Sequence, residues 1–146
     1  MRPEAGFTLI ELIVVLVVMA LASALAIPLV YKALATAEVS GAVRQLSSGL
    51  RYARSQAITN NRETVFMVDV EKRNYGVGTG AVMATVAESL DLTLVTAESE
   101  RLSDELGGVR FFPNGTSTGG RIDISDGLRT YSVAVDWLTG RVSIQE

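Results

Sequence analysis

From Leu12 to Val30 only Ser23 and Pro28 interrupt an otherwise apolar run, and no other feature of the chain narrows its folding options as far. As a helix, such a run extends roughly 28 Å at about 1.5 Å per residue, which matches the hydrocarbon thickness of a bilayer. A buried helix of a soluble domain is the competing reading, but such a helix seldom stays apolar on every face for this long. A membrane-crossing helix is therefore expected over residues 7–30. Glu11 does not fit that pattern. It lies just inside the apolar segment, where an ionised carboxylate costs on the order of 2.5 to 3.5 kcal/mol near a bilayer centre and less toward the interface. A cut between Gly6 and Phe7 would supply a partner, because the ammonium of Phe7 would then sit at a similar depth, on the same chain or on a neighbour.

The stretch Gly6-Phe7-Thr8-Leu9-Ile10-Glu11 resembles the class III signal of type IV pilins and type II secretion pseudopilins. The resemblance implies that residues 1–6 are a leader, that a dedicated prepilin peptidase cuts after Gly6 on the cytoplasmic side, and that it methylates the amine of Phe7. Glu11 then becomes the fifth mature residue, which in this family pairs with the terminus of an adjacent subunit during filament assembly. Pro28 sits where pilins carry a helix-distorting proline. An ordinary secretory signal is the rival, since Ala22-Ser23-Ala24 and Ala24-Leu25-Ala26 offer small residues to a conventional signal peptidase. That rival leaves Glu11 unexplained, cuts inside the apolar run, and needs a basic leader where this one balances Arg2 with Glu4. The same leader departs from the usual pilin charge pattern, so the expected orientation rests on the motif rather than on the positive-inside rule.

Missing residue types narrow the function classes. The chain has no cysteine and no histidine, which removes disulfides and thiolate metal sites together with the commonest general base and metal ligand. Lys32 and Lys72 are its only lysines, and neither has a serine in a recognisable motif. An enzyme is not expected, and neither a cofactor nor a metal is. The formal net charge of -3 lacks the basic bias of non-specific nucleic-acid binders. Beyond the first thirty or so residues, roughly one small domain with a single core can form.

Past Pro28, Val39, Val43, Leu46, Leu50, Ala53 and Ala57 recur at alternating spacings of four and three, the stripe of an amphipathic helix. Arg44, Arg51 and Arg54 lie off it. One long helix is expected over 7–60, bent at Pro28 and stopped at Asn60-Asn61, with 31–61 as its amphipathic half. A free coiled coil competes, but the stripe is short and ends in alanines, which suits close packing on a sheet. From Arg62 the periodicity becomes that of strands. Residues 64–70, the polar turn Glu71-Lys72-Arg73-Asn74 and Tyr75-Gly76-Val77 read as a hairpin. In the poorly legible 78–106, residues 90–96 can form a strand, and the acidic 98–105 a loop or short helix. Residues 109–112 then form a strand that ends at Pro113-Asn114-Gly115. Ile122 and Ile124 alternate with polar residues up to Asp126-Gly127, a preferred hairpin dipeptide. Tyr131, Val133 and Val135 share one face, and Trp137-Leu138-Thr139-Gly140 turns the chain toward Val142 and Ile144. The expected class is α+β, a long N-terminal helix packed on a β-rich domain over 62–146, an antiparallel sheet or sandwich.

Three further stretches carry a narrower resemblance: Leu50-Arg51-Tyr52-Ala53-Arg54-Ser55-Gln56-Ala57-Ile58, Phe112-Pro113-Asn114-Gly115-Thr116-Ser117-Thr118-Gly119-Gly120 and Val135-Asp136-Trp137-Leu138-Thr139-Gly140-Arg141-Val142. Together they resemble the H-type minor pseudopilin (GspH family) of type II secretion, with minor type IV pilins of the FimT and FimU group sharing much of the pattern. The resemblance implies a type IV pilin-like fold, a single pass through the bacterial inner membrane, and a C-terminal domain in the periplasm. It also implies a place near the tip of a pseudopilus that assists export of folded proteins across the outer membrane. The implied partners are the other minor pseudopilins, the major pseudopilin, the prepilin peptidase and the inner-membrane assembly platform. The alternative is a FimT/FimU-like minor pilin in pilus assembly or DNA uptake. Arg141 is present, but Ser143 stands where DNA-binding members carry another arginine, and Glu146 is acidic. Phosphate contacts dominate such affinity, so nucleic acid is not an expected partner.

Other candidates have plainer readings. Gly76-Val77-Gly78-Thr79-Gly80-Ala81 fits a dinucleotide glycine pattern only loosely and reads as a loop. Asp123, Ser125 and Asp126 could offer oxygen ligands to calcium, but no complete ligand loop with a closing glutamate follows, and a solvated hairpin is expected. Asn114-Gly115-Thr116 is formally a glycosylation acceptor, although Asn-Gly in a turn needs no such explanation. Arg44, Arg51 and Arg54 read as a solvated or subunit-facing side of the helix. The acidic stretch 88–105 reads as a solvated loop that could meet such a surface on a neighbour.

Overall fold

The computed structural model describes residues 8–78 and 82–145, with the side chains of 25–35 outside the description. Its class is α+β, as expected. One helix, α1 (Leu9–Thr59), covers both the apolar and the amphipathic stretch, and the chain divides into two compact units between Ala37 and Glu38. Gly6 and Phe7 lie outside the described residues, and so does the side chain of Pro28.

In the first unit Thr8 begins the helix. Its backbone carbonyl accepts the Leu12 N–H at 3.2 Å and its hydroxyl oxygen accepts the Glu11 N–H at 3.3 Å. This is N-cap geometry with a glutamate at the third helical position, the threonine half of a capping box. The large apolar side chains between positions 9 and 21 are all exposed, as in a helix that is apolar all round. The Ser23 hydroxyl donates to the Met19 carbonyl at 2.8 Å, which satisfies it inside the helix.

The second unit holds the core. Val39, Val43, Leu46, Leu50, Ala53 and Ala57 are each at most 3% exposed, so the whole predicted stripe is buried. Among the described residues eight strands follow in two antiparallel sheets. One has the order β3-β2-β1-β5, with β1 (Thr64–Asp69), β2 (Asn74–Val77), β3 (Ala84–Thr85) and β5 (Leu106–Phe111). The other has the order β4-β6-β7-β8, with β4 (Asp91–Thr96), β6 (Gly120–Ser125), β7 (Thr130–Val135) and β8 (Val142–Gln145). Alternate residues point into one shared core: Phe66 and Val68 from β1, Val109 and Phe111 from β5, Ile122 and Ile124 from β6, Val133 and Val135 from β7. Strand periodicity puts every second side chain on the buried face. Phe66 packs on Tyr75 with ring centroids 5.5 Å apart.

The helix ends where the paired asparagines predict. Asn61 takes a φ of 50°, its N–H bonds the Ile58 carbonyl, and the Arg62 N–H bonds the Ala57 carbonyl at 3.2 Å. That is a Schellman motif with asparagine in the left-handed position.

Two expectations are corrected. The β6-β7 connection is a four-residue loop over 126–129, closing after the Ser125–Thr130 pair, rather than a turn centred on Asp126-Gly127 alone. The Asp126 carboxylate accepts the N–H groups of Leu128 (2.8 Å) and Arg129 (2.7 Å), which pulls two further residues into the turn. Nor is the acidic stretch simply a solvated loop. Glu98–Glu100 is a single 3-10 turn that buries Glu100 to 6% exposure, and Arg110 Nε donates to its Oε1 at 2.9 Å. A buried carboxylate requires such a partner.

Candidate assembly surfaces

Two places carry polar geometry beyond what packing needs. The first is the start of α1. The Thr8 cap sets Glu11 in the first helical turn, where the positive end of the helix dipole favours a carboxylate. Among the described residues Glu11 has no ion-pair partner.

The second joins three segments distant in sequence. Arg54 is one step off the buried stripe, and its guanidinium reaches back over the β-rich part of the unit. Its Nε donates to the Gly115 carbonyl at 3.0 Å and its Nη2 to the Thr139 carbonyl at 2.9 Å. The Pro113-Asn114-Gly115 turn and the Trp137-Leu138-Thr139-Gly140 turn thus share one cation. Each turn is closed by its own side chains. Asn114 Oδ1 accepts the Thr116 N–H and hydroxyl at 3.1 and 2.7 Å, and Asp136 Oδ1 accepts the Thr139 N–H and hydroxyl, both at 2.8 Å. The Thr139 hydroxyl and N–H hold the Asp136 carboxyl below its ordinary value, because they bond its charged form. Gly140, at φ 61°, allows the close approach: a Cβ there would lie 2.2 Å from the Gly115 carbonyl oxygen.

By sequence, Arg54 groups with Arg44 and Arg51 as a helix side facing solvent or a subunit. The correction is that Arg54 is part-buried and bonded within its own unit, while Arg44 and Arg51 are exposed. Its spacing of four from the buried Leu50 puts it beside the stripe and is the available signal. Arg141 is exposed as well. Beside these turns Arg51, Arg54, Thr139, Gly140, Arg141 and Val142 line a shallow depression.

The remaining candidates have local roles. Asp123 accepts from the Ser132 hydroxyl at 2.6 Å and pairs with Arg121 at 3.2 Å, and the Ser125 hydroxyl donates to the Arg129 carbonyl at 3.0 Å. With Asp126 bonded to the backbone of its own turn, these oxygens are engaged in the β6-β7 hairpin. Asn114 is engaged in its own turn. Gly76 lies within β2, and β3 begins at Ala84, too soon for the helix that a dinucleotide motif needs; residues 79–81 lie outside the described residues. Among the described residues no helix is long and apolar enough to cross a membrane.

A profile of the prokaryotic N-terminal methylation motif matches residues 1–27, and a profile of the type II transport protein GspH matches residues 42–140. The type II secretion system protein H of Xanthomonas campestris pv. campestris is 29% identical over 141 residues, covering 97% of this chain and 83% of that protein. The minor pseudopilin EpsH of Vibrio cholerae superposes with a TM-score of 0.57 at 13% identity, over 74% of this chain and 96% of that one. The type IV minor pilin FimU of Pseudomonas aeruginosa superposes with a TM-score of 0.55 at 19% identity, over 76% of this chain and 90% of that one. These two structural likenesses establish a type IV pilin-like fold and no more. The match to the GspH profile spans both turns held by Arg54 and most of the amphipathic stripe, and with it the chain belongs to the GspH family of type II secretion proteins.

Proposed function

We propose that this chain is a minor subunit of the type II secretion pseudopilus, placed near its tip between other minor pseudopilins and the major pseudopilin. Residues 1–6 are a leader removed by the prepilin peptidase between Gly6 and Phe7, and the Phe7 amine is then methylated. The segment 12–30 holds the processed chain in the bacterial inner membrane as a single pass, with the C-terminal unit in the periplasm. There the inner-membrane assembly platform extracts it into the filament, which assists folded proteins across the outer membrane. The role is structural rather than catalytic.

The observation that carries this reading is the capped helix start. Thr8 sets Glu11 in the first helical turn of a segment whose large side chains are apolar on every face, and the match to the methylation motif covers the same residues. A new amine at Phe7 would meet that carboxylate at similar depth. Inside a bilayer the two charges have no better partner, so their pairing sets the register between neighbouring helices. Glu11→Ala is expected to leave cleavage intact, with Phe7 still found by N-terminal sequencing, while incorporation into filaments and secretion fall. Normal secretion by that variant, or a mature terminus beyond Ala24, would exclude this pairing role for Glu11.

A further inference from the structure

We infer that Asn114-Gly115 is a covalent modification site, a deamidation step that the Arg54 contact holds shut. In that step the Gly115 backbone nitrogen loses its proton and attacks Cγ of Asn114. The bond from Cγ to the side-chain nitrogen breaks, ammonia leaves and a cyclic imide forms. Water then opens the imide at either carbonyl, which leaves aspartate or isoaspartate at position 114. Water is the only co-reactant, and the inference does not depend on the filament role. Glycine is the least hindered nucleophile, since no side chain crowds its nitrogen, whereas Asn60, Asn61 and Asn74 precede Asn61, Arg62 and Tyr75. Asp126-Gly127 is similar in sequence, but the Arg129 and Leu128 N–H groups hold its carboxyl below the ordinary value, and an ionised carboxylate is a poor target for a nucleophile.

The turn holds the electrophile ready and withholds the nucleophile. Asn114 is exposed to water. Negative charge develops on its Oδ1 in the tetrahedral intermediate, and that oxygen already accepts the Thr116 N–H at 3.1 Å and the Thr116 hydroxyl at 2.7 Å. Donors aimed at a forming oxyanion stabilise it. Gly115, by contrast, is buried, and its N–H donates to the Phe112 carbonyl at 2.9 Å. A carbonyl cannot take that proton away, and an amide anion in its place would face the carbonyl lone pairs. Arg54 closes the other side: its Nε bonds the Gly115 carbonyl at 3.0 Å and its Nη2 ties it to the Thr139 carbonyl at 2.9 Å. Removing the Gly115 proton thus requires the turn to open, the same event that governs amide exchange. The step also blocks its own reversal. Isoaspartate lengthens the backbone, and the space is already full, since even a Cβ on Gly140 would lie 2.2 Å from the Gly115 carbonyl oxygen. A turn modified in this way cannot regain both Arg54 bonds, so the product marks every chain whose turn has opened.

Incubating the full-length chain in detergent micelles at mildly alkaline pH, with the tryptic peptide 111–121 followed by mass spectrometry, tests this. The native chain should be modified at least about tenfold more slowly than the urea-denatured chain. Arg54→Met should speed modification of the folded chain by about tenfold or more. Adding Thr116→Val, which removes one donor to Oδ1, should slow that variant several-fold, whereas a merely loosened turn would react faster still. Equal rates in native and denatured chains, an Arg54→Met rate no higher than the native one, or a faster double variant would overturn the proposal. Should Arg54→Met not fold, the native chain in urea below its unfolding transition takes its place. There the modification rate and the exchange rate of the Gly115 amide should rise in proportion, and a rise in exchange alone would overturn the gate.

Discussion

Arg54 makes two hydrogen bonds to carbonyls of turns 61 and 85 residues away, and a charged donor contributes roughly 1.5 to 3 kcal/mol when such a bond is shielded from water. Methionine keeps the length and apolar stem of the side chain but offers no donor. Arg54→Met should therefore lower the unfolding free energy by about 1 to 3 kcal/mol, read from denaturant midpoints. The amide protons of 113–116 and 137–141 should exchange faster while those of β1 do not. Glu100 shows the same logic with opposite sign. It is a carboxylate that burial alone would disfavour, held by Arg110, which also reaches Glu63 at 3.0 Å. Neither partnership is readable from sequence, because the residues concerned lie far apart along the chain or in its least periodic stretch.

At the scale of the element, α1 shows why a poor helix former can be the right residue. Gly49 sits among the buried positions of the amphipathic half, and a Cβ there would lie 2.8 Å from the Phe66 ring, which is itself fully buried. Alanine would raise intrinsic helix propensity by about 1 kcal/mol, yet overpacking a filled core costs about 1 to 3 kcal/mol. Gly49→Ala is accordingly expected to be destabilising, with a lower thermal midpoint by circular dichroism. A rise in that midpoint would show that Phe66 can move. The strands are largely legible in the sequence. The predicted hairpin at 64–77 pairs Asp69 with Asn74 and Phe66 with Val77, and β6, β7 and β8 occupy their expected places. The β6-β7 loop differs because the dipeptide preference speaks only of backbone twist, while the Asp126 side chain bonds two N–H groups beyond it.

At the scale of the whole molecule, three turn carboxylates contribute to the response to acid. Asp69, Asp126 and Asp136 all lie below their ordinary values: the Lys72 N–H bonds the first, the Arg129 and Leu128 N–H groups the second, and the Thr139 hydroxyl and N–H the third. A carboxyl depressed in the folded state contributes stability that is fully present above its unfolded value, about 3.9, and is lost as pH falls through the folded one. The thermal midpoint should thus be insensitive to these groups above about pH 5 and should decline below about pH 4. Asp136→Asn, which keeps an acceptor for Thr139 but cannot titrate, should reduce the slope of that decline. An unchanged slope would show that this turn is not linked to global unfolding.

The periodicities determined a good deal on their own: an apolar stretch too long and too uniform for an ordinary surface helix, a stripe of six residues that the second unit buries, and alternating strands between turn dipeptides. These are local signals, set by spacing along the chain, and they suffice for class and element order. What only the tertiary structure decided was pairing across distance: two separate sheets with β5 returned beside β1, Glu100 buried against Arg110, and Arg54 held to two turns. Such contacts depend on which surfaces close over one another, and no residue's immediate neighbours in sequence carry that information.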